Sequence, residues 1–507
     1  MSTVLHAKAP ASATWKAGDR WLLGVVLAVI TFWLFAQTLL NVIPAIQGSL
    51  GLTTTVANLA VSVTALMSGL FIVVFGGLAD HVGRGKVFRF GIALSIAGSL
   101  LIALTPSKRG ALTATMMMGG RIVQGLSAAC VMPSSLALIK EFYDDTARER
   151  ALSFWSIGSW GGSGFCSLFG GLMAVSFLGW RSIFWISIAV ALGALYLTRD
   201  TPESRASDRG THPRFDWSGL VTFVAAMLAI NVFISQGPKL GWFSDASLGL
   251  VIAFIVFILA FFRIETRKTD PFVDLAIFDN KTFSGTTLSN FLLNGCAGTL
   301  VVALGLVQRA SGWSPLRSGL LTVGYLVAIL ATIRVGEKLL QRFGPKKPML
   351  WGTSITAVGI VLSSMTFLLI REYAVVAFIG FTLYGIGLGF YATPSTDAAM
   401  SSVPGDKAGA AAGLYKMASS LGAAFGVAIS YAVYTAGTHI PAKLVPHIFW
   451  GRQDNVGLRF AGGVGLLFNA CICVIALISI MVAVPETQPE EERAARPQVP
   501  ASPSLGS

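Results

Sequence analysis

The stretch GGLADHVGRGK, residues 76–86, connects two long apolar runs. Residues 55–75 before it carry no charged side chain, and residues 87–104 after it carry only Arg89. An apolar run of about 20 residues is long enough to cross a bilayer as a helix. A short, basic turn between two such runs has to lie at a membrane surface, on the side where Lys and Arg accumulate. The stretch therefore predicts two membrane helices joined by a cytoplasmic turn, with Asp80 as an acid among cations.

The composition of the whole chain is that of a membrane protein. Of its 507 residues, 54% are hydrophobic and 12% are charged, and the mean hydropathy is +0.70. Soluble domains carry about 25% charged residues. The formal net charge is +13, but the cations lie in short loops between apolar runs. This distribution indicates orientation in a membrane rather than binding of nucleic acid.

The sequence does not predict a cofactor or a metal site. The five cysteines lie within apolar runs and lack metal-ligand spacing. The glycine string at residues 385–389 lies in an apolar run with no preceding strand, and there is no G-x-x-x-x-G-K-[ST] phosphate loop. None of the five histidines falls within an apolar run, which disfavours a membrane haem enzyme. We therefore expect a protein that is not an enzyme.

The apolar runs predict an all-α membrane protein with 14 transmembrane helices. An even number places both termini on one side of the membrane, and the distribution of Lys and Arg makes that side cytoplasmic. The runs cover about residues 21–43, 54–78, 87–105, 112–138, 151–176, 182–198, 217–235, 246–263, 283–308, 318–343, 349–370, 373–396, 408–436 and 460–484.

The two halves of the chain repeat each other weakly. Residues 336–347 reproduce the glycine and basic pattern of residues 76–86, with Gln341 in the position of Asp80. Such repetition is typical of transporters built from two bundles around a central site. Five parts are predicted: a cytoplasmic N-terminal tail (1–20), an N-terminal six-helix bundle (21–198), a linker with two extra membrane helices and an interfacial segment (199–281), a C-terminal six-helix bundle (282–485) and a disordered cytoplasmic tail (486–507).

The stretch at residues 76–86 resembles the loop signature G-x-L-A-D-x-x-G-R-x-K of the major facilitator superfamily. The matching positions are Gly76, Leu78, Ala79, Asp80, Gly83, Arg84 and Lys86. His81 and Gly85 stand where the family usually has basic residues. The resemblance implies the two-bundle major facilitator fold. It also implies that Asp80 is a conformational latch, which faces the start of the thirteenth helix near residues 405–409, where free N–H groups favour an anion.

A second signature lies within the fourth apolar run. Arg121, Gln124 and Gly125 resemble the family pattern R-x-x-Q-G. An arginine at the centre of a membrane helix costs at least ~2.5–3.5 kcal/mol unless it faces protein or water. Arg121 is therefore expected inside the bundle. It is either a cation that holds the bundle together through backbone carbonyls or a residue that handles protons or substrate.

The fifth run contains GSWGGSGFCSLFGG at residues 158–171, which resembles the antiporter signature G-x-x-x-G-P-x-x-G-G. Cys166-Ser167 replaces the central Gly-Pro pair. The glycines of this antiporter helix are Gly158, Gly162, Gly170 and Gly171, of which the last three match the signature. The resemblance implies an antiporter helix, and close helix packing through the same glycines is the alternative.

The first run resembles the first-helix signature of the 14-helix drug:proton antiporter family. Thr38, Asn41 and Pro44 match it, and Ala36 occupies the family's acid position. Three further stretches are similar to a quinolone-exporting subgroup of that family: residues 289–300, 391–400 and 414–430.

This resemblance implies proton-driven export of quinolones and other amphipathic drugs by alternating access. It implies a multi-pass protein of the bacterial cytoplasmic membrane that works as a monomer, with drugs, protons and lipid as its partners. A major facilitator transporter of a specific metabolite is the alternative, because a fold does not determine a substrate.

Uncharged amides are expected to line a central drug cavity. Gln37 and Asn41 are four residues apart in the first run, and Asn290 and Asn294 are four apart in the ninth, so each pair lies on one helix face. Hydrogen bonding between helices is the alternative role for these amides. The predicted cavity also includes Arg121, Gln124 and Trp155, the last as an aromatic surface for flat drugs.

Proton coupling needs an acid elsewhere, because the family's first-helix acid is missing. Glu337 lies beside Arg334 and Lys338, whose charges hold the proton affinity of Glu337 low and favour a structural ion pair. Asp397 has no cation at helical spacing and is the favoured proton carrier, with Arg121 and Lys416 as countercharges. A helix-end acid that faces solvent is the alternative for Asp397.

Overall fold

A computed structural model describes residues 17–204, 216–268, 275–437, 440–441, 444–449 and 455–486. Every regular element within these residues is helical, which confirms the predicted all-α class. The α-helices are α1 (Asp19–Ile30), α2 (Leu39–Leu50), α3 (Thr54–Val82), α4 (Arg84–Ala103), α5 (Ala111–Phe142), α6 (Asp145–Ser156), α7 (Gly162–Val175), α8 (Arg181–Leu197), α9 (Trp217–Leu240), α10 (Asp245–Glu265), α11 (Lys281–Gly295), α12 (Gly298–Ser311), α13 (Pro315–Gly319), α14 (Val323–Phe343), α15 (Lys346–Ser363), α16 (Ile370–Ser401), α17 (Ala408–Gly437) and α18 (Val456–Ala483).

Parts of the predicted tails and linker lie outside the described residues. These parts are residues 1–16 of the N-terminal tail, 205–215 of the linker, 269–274 of the interfacial segment and 487–507 of the C-terminal tail.

The described helices have the lengths and composition of membrane spans. Eleven helical stretches in the described residues are long and apolar enough to cross a bilayer, and Arg181–Leu197 is a shorter apolar helix. Because each stretch satisfies its backbone hydrogen bonds within itself, helices of this kind are stable in hydrocarbon. The chain is therefore a multi-pass membrane protein.

Two of the predicted membrane helices contain π-helical turns. Thr31–Ala36 lies between α1 and α2, and Ile157–Gly161 lies between α6 and α7. A π turn disturbs the regular i to i−4 bonding of a helix, and such turns are frequent at functional sites. The fifth run therefore departs from regular α geometry at its glycines, without the proline of the family signature.

Two long helices continue through a proline. Pro133 lies inside α5 and Pro394 lies inside α16. Next to Pro133, the Ser134 hydroxyl donates to the carbonyl four residues earlier at 2.5 Å, and near Pro394 the Thr396 hydroxyl makes the equivalent bond at 2.9 Å. Serine and threonine hydroxyls near a proline are one means by which membrane helices tolerate it.

The helices form two halves and a separate pair. In the first half, α1–α8, helix α5 packs against α3 and α4; in the second, α11–α18, helix α16 packs against α14 and α15. Helices α9 and α10 pack mainly against each other. Only 11% of the apolar stretch of α10 is buried, so most of this helix faces outward.

Both described chain ends lie at the same end of the helices. Asp19 forms a 3.1 Å ion pair with Arg150 of α6, and Glu486 lies against Gly344 after α14. Because α6 and α14 pack together, the two chain ends lie on one side of the molecule. We call this side of the molecule the termini end.

Candidate transport site and the contact between the halves

Asp80 joins the two halves at the termini end. It lies in the last turn of α3, and its carboxylate accepts hydrogen bonds from the backbone N–H groups of Gly409 at 3.2 Å and Ala410 at 3.1 Å. These N–H groups belong to the first turn of α17, where they have no partner within the helix. The structure thus places Asp80 at the helix start to which the family resemblance assigns it.

The helix backbones approach very closely at this contact. A Cβ atom added to Gly76 would lie 2.5 Å from the carbonyl oxygen of Gly409, and one added to Gly409 would lie 2.6 Å from Cγ of Asp80. Real side-chain atoms do not fit at such distances. Glycine is therefore required at both positions for α3 to reach α17.

Arg84 holds the Asp80 carboxylate and also crosses to the second half. Its Nε donates to Asp80 Oδ1 at 2.8 Å, its Nη1 to Glu141 Oε2 at 3.0 Å and its Nη2 to the carbonyl of Gly405 at 2.9 Å. Gly83 precedes it with φ +126°, a value that favours glycine. Sequence reasoning missed Glu141, which follows a long apolar run and carries no motif.

Lys86 lies on the same turn but outside the contact. Its side chain is exposed, and its backbone N–H donates to Glu203 Oε2 at 3.3 Å. Glu203 thus ties the turn to the chain that follows α8, within the first half.

A second polar contact joins the halves between α6 and α16. Arg148 Nε lies 3.3 Å from Asp397 Oδ1, and both side chains are buried. The prediction of countercharges for Asp397 therefore needs correction, because the ion pair is with Arg148 and not with Arg121 or Lys416. Sequence spacing could not reveal this pair, because its two members come from different halves.

Lys140 makes a further link between the halves. Its ammonium group donates to the carbonyl of Met400, in the last turn of α16, at 2.6 Å and to the carbonyl of Val403, just after that helix. Three cations of the first half, Arg84, Lys140 and Arg148, thus bind groups of the second half at the termini end.

Glu337 has the cation that its sequence predicts. Arg334 forms an ion pair with it one helical turn earlier, and Gln341 Nε2 donates to it at 3.5 Å. Glu337 is buried on α14, whereas the neighbouring Lys338 is exposed.

Glu149, which the sequence did not single out, lies beside these two acids. It belongs to the first turns of α6, and its Oε2 atom is buried without a hydrogen-bond partner among the described residues. Burial, followed by the negative charge of Asp397, raises the pKa of Glu149 to about 7, while Gln341 and Arg148 act in the opposite direction. Three carboxyl groups and two arginines therefore share this contact, and Glu149 is the carboxyl without an arginine of its own.

Arg121 lies in the interior of the first half. Its Nε donates to the carbonyl of Ala60 at 2.7 Å, and its Nη1 donates to the carbonyl of Ala36 at 2.8 Å and to Gln124 Oε1 at 2.8 Å. Gln124 in turn donates to Ser99 Oγ at 3.1 Å. Arg121 thus joins α5 to α3 and to the π turn of the first run. Ala36 occupies the position of the family's acid, and its backbone carbonyl accepts the hydrogen bond from Arg121.

The predicted cavity amides differ in what they contact. Asn290 donates to the carbonyl of Tyr415 at 3.0 Å and to Ser419 Oγ at 2.6 Å, so it fastens α11 to α17. Asn294 donates back to Asn290 Oδ1 at 2.9 Å. Gln37 is half-buried. The side chains of Asn41 and of Pro44 lie outside the described residues.

Trp155 and Lys416 meet at the interface of the halves. The Nζ atom of Lys416 on α17 lies 4.3 Å from the ring centroid of Trp155 on α6. The indole Nε1 donates to Ser135 Oγ at 2.9 Å, which fixes the ring against α5.

The glycines of the antiporter stretch divide into two groups. Gly158 and Gly162 face the first run, where an added Cβ would lie 3.2 Å from atoms of Val26 and of Trp33 respectively. Gly170 is buried, whereas Gly171 has no atom within 4 Å of an added Cβ. Close helix packing therefore involves the first two of the four glycines.

Two helical halves that meet through glycine crossings and buried ion pairs define a membrane transporter of the two-bundle type. The sequence model described as Major Facilitator Superfamily matches residues 23–427 and 286–505. The chain belongs to the major facilitator superfamily, which confirms the assignment made from the loop signature.

The chain is similar to the "Quinolone resistance protein NorB" of Staphylococcus aureus strain MRSA252, with 46% identity over 477 residues, 94% of this chain and 98% of the relative. The protein of the same name from strain COL matches to the same extent.

Solved structures of transporters have the same fold. The proton:xylose symporter XylE bound to 6-bromo-6-deoxy-D-glucose superposes with a TM-score of 0.63 at 19% identity, covering 94% of this chain and 98% of the symporter. The human organic anion transporter MFSD10 (TETRAN) superposes with a TM-score of 0.60 at 13% identity, covering 92% of this chain and all of that chain (100%).

Proposed function

We propose that this protein exports quinolones and other amphipathic drugs across the bacterial cytoplasmic membrane in exchange for protons, by alternating access. The observation that carries the proposal is the buried contact at the termini end, centred on Asp80, in a chain 46% identical to a quinolone resistance protein. The protein works as a monomer with 14 spans, and both termini are cytoplasmic.

With this orientation, the contact at the termini end closes the cytoplasmic side. Asp80 then acts as a latch, because an anion at the start of α17 is stabilised by free N–H groups and by the helix dipole. Opening toward the cytoplasm requires the Asp80 carboxylate and the Arg148–Asp397 pair to separate from their partners. Drug enters between the halves in that state and leaves when the termini end closes again.

The drug cavity lies between the halves at mid-depth. Gln37 and Trp155 line it from the first half, and Asn294 lines it from the second. Asn41 is a further candidate because it lies four residues after Gln37 in the sequence. Asn290 supports this wall by fastening α11 to α17. Arg121 and Gln124 affect the cavity indirectly. Arg121 donates a hydrogen bond to the Ala36 carbonyl and so fixes the π turn of the first run, which forms part of the wall.

Protons couple to this cycle at the carboxyl groups of the second contact. Asp397 and Glu337 are buried beside Glu149. When the halves separate, Asp397 loses Arg148, whereas Arg334 stays with Glu337 on α14. One proton that moves inward through ~100 mV releases ~2.3 kcal/mol. This energy sustains a drug gradient of roughly 40-fold.

A drug-susceptibility panel in an efflux-deficient bacterial host tests the proposal. We expect expression of the chain to raise resistance to quinolones and to ethidium, and we expect an uncoupler to abolish ethidium efflux. Unchanged susceptibility to every drug, with the protein present in the membrane, would point to a transporter of a specific metabolite instead.

A further inference from the structure

Lys416 is a buried cation in the apolar part of a membrane helix. It lies eight residues after Ala408, about 12 Å along α17 from its start, within the candidate span Ala408–Tyr434. Its side chain is 2% exposed. Ionisable groups at such depth are expensive and mark functional sites by default.

The described residues provide no carboxylate for Lys416. None of the ion pairs among them includes this residue. Arg84 and Arg148, two other buried cations along the same interface, are each paired with an acid. Lys140 is bonded to two backbone carbonyls. The ammonium group of Lys416 instead faces aromatic rings, at 4.3 Å from Trp155 and 5.6 Å from Tyr415.

Each member of the Lys416–Trp155 pair is fixed to its own half. Trp155 is fully buried, and its Nε1 is bonded to Ser135 of α5. On the other side, Asn290 bonds to the carbonyl of Tyr415 and to the hydroxyl of Ser419, the residues that bracket Lys416. Separation of the halves therefore exposes the fixed indole face on one wall of the opening and the Lys416 ammonium group on the other.

An ammonium group beside an indole face matches one kind of ligand. A carboxylate neutralises the buried cation better than a neutral ring does, because a charge-assisted hydrogen bond is stronger than a cation–π contact. A flat aromatic ring attached to that carboxylate stacks on the indole. A cationic drug gains no such contact, since the ammonium group repels it.

We propose that Lys416 and Trp155 form a subsite for aromatic carboxylates, in which the ammonium group binds the carboxylate and the indole stacks on the ring. This inference rests on the proposed export function. It predicts that Lys416 is needed for efflux of acidic and zwitterionic substrates but not for efflux of purely cationic ones.

The test compares norfloxacin, which carries a carboxylate, with its methyl ester and with ethidium. Initial efflux rates are measured for the full chain and for Lys416→Gln, Lys416→Arg and the exposed control Lys281→Gln at matched membrane expression. We expect Lys416→Gln to lower norfloxacin efflux at least about tenfold, with the ester and ethidium within about twofold of wild type. Lys416→Arg should retain most norfloxacin efflux.

Equal losses for the acid and its ester, or no loss for either, would overturn the subsite. Binding to the purified full-length protein, followed by tryptophan quenching, gives a second readout that does not depend on transport. The wild type should bind norfloxacin more tightly than the ester, and Lys416→Gln should abolish the difference. Equal wild-type affinities also refute the subsite, whereas failure of the proposed export function appears as wild-type cells that export none of the three compounds.

Discussion

Asp80→Asn tests the latch directly. The carboxylate accepts one N–H bond on each oxygen from the first turn of α17 and a third bond from Arg84. Asparagine keeps the shape of aspartate but has no charge. Its NH2 group replaces one of the two carboxylate oxygens, so that group faces a backbone N–H of α17 and two donors meet. Losing one charge-assisted hydrogen bond and the favourable helix-dipole interaction destabilises the closed contact by about 3 kcal/mol.

A destabilisation of this size shifts the ratio of closed to open conformers roughly 150-fold. The exporter then remains open toward the cytoplasm and completes few cycles. We expect ethidium efflux to fall by at least about tenfold, while the amount of protein in the membrane stays unchanged, because the bundles themselves are intact.

The assay is ethidium efflux from energised cells, with membrane expression measured by immunoblot. Asp200→Asn is the matched control, because Asp200 is exposed and pairs only with the exposed Arg199 among the described ion pairs. Wild-type efflux by Asp80→Asn at equal expression would refute the latch. A loss of the protein from the membrane would refute the expectation that the bundles stay intact.

Three other predictions concern the interface between the halves. Gly409→Ala should weaken the closed state by about 2 kcal/mol through overpacking, and ethidium efflux should fall roughly 30-fold, whereas Gly77→Ala, which has no atom within 4 Å of the new Cβ, should keep wild-type efflux. Asp397→Asn should reduce drug-induced proton release from everted vesicles more than Glu337→Gln does, and undiminished release would remove Asp397 as a carrier. Because the pKa of Glu149 is raised to about 7 in the closed state, the closed state binds this proton more tightly. It should therefore lose stability relative to the open state as the pH rises from the ordinary carboxyl value near ~4.3 to about 7, and Glu149→Gln should remove this dependence in an accessibility assay of the cytoplasmic side.

Local patterns were sufficient for the class of the protein. The uncharged run at residues 55–75 and its glycine-rich turn predict membrane helices, because the hydrophobic length of a span is a property of consecutive residues. The position of Asp80 opposite the start of α17 also followed from a local motif. Its carboxylate and the glycines at 76 and 83 lie within one short stretch that resembles a family signature.

The tertiary structure decided which charges meet. Arg148 and Asp397 are 249 positions apart, and their contact depends on how far α6 and α16 are rotated and shifted against each other. Glu149 lies in a charged stretch of the sequence, which is typical of a solvent-exposed helix start. Its burial was therefore not predictable, for the same reason.

The sequence by itself determined that the chain consists of apolar helices and that cations within them, such as Arg121 and Lys416, must avoid lipid, because hydrocarbon excludes charge wherever a residue lies along a span. Only the tertiary structure decided what each cation faces instead. Arg121 reaches carbonyls of its own half, and Lys416 reaches the indole of the other half. Hydropathy depends on consecutive residues, whereas a contact across an interface depends on the rotation and depth of two helices that are far apart in the chain.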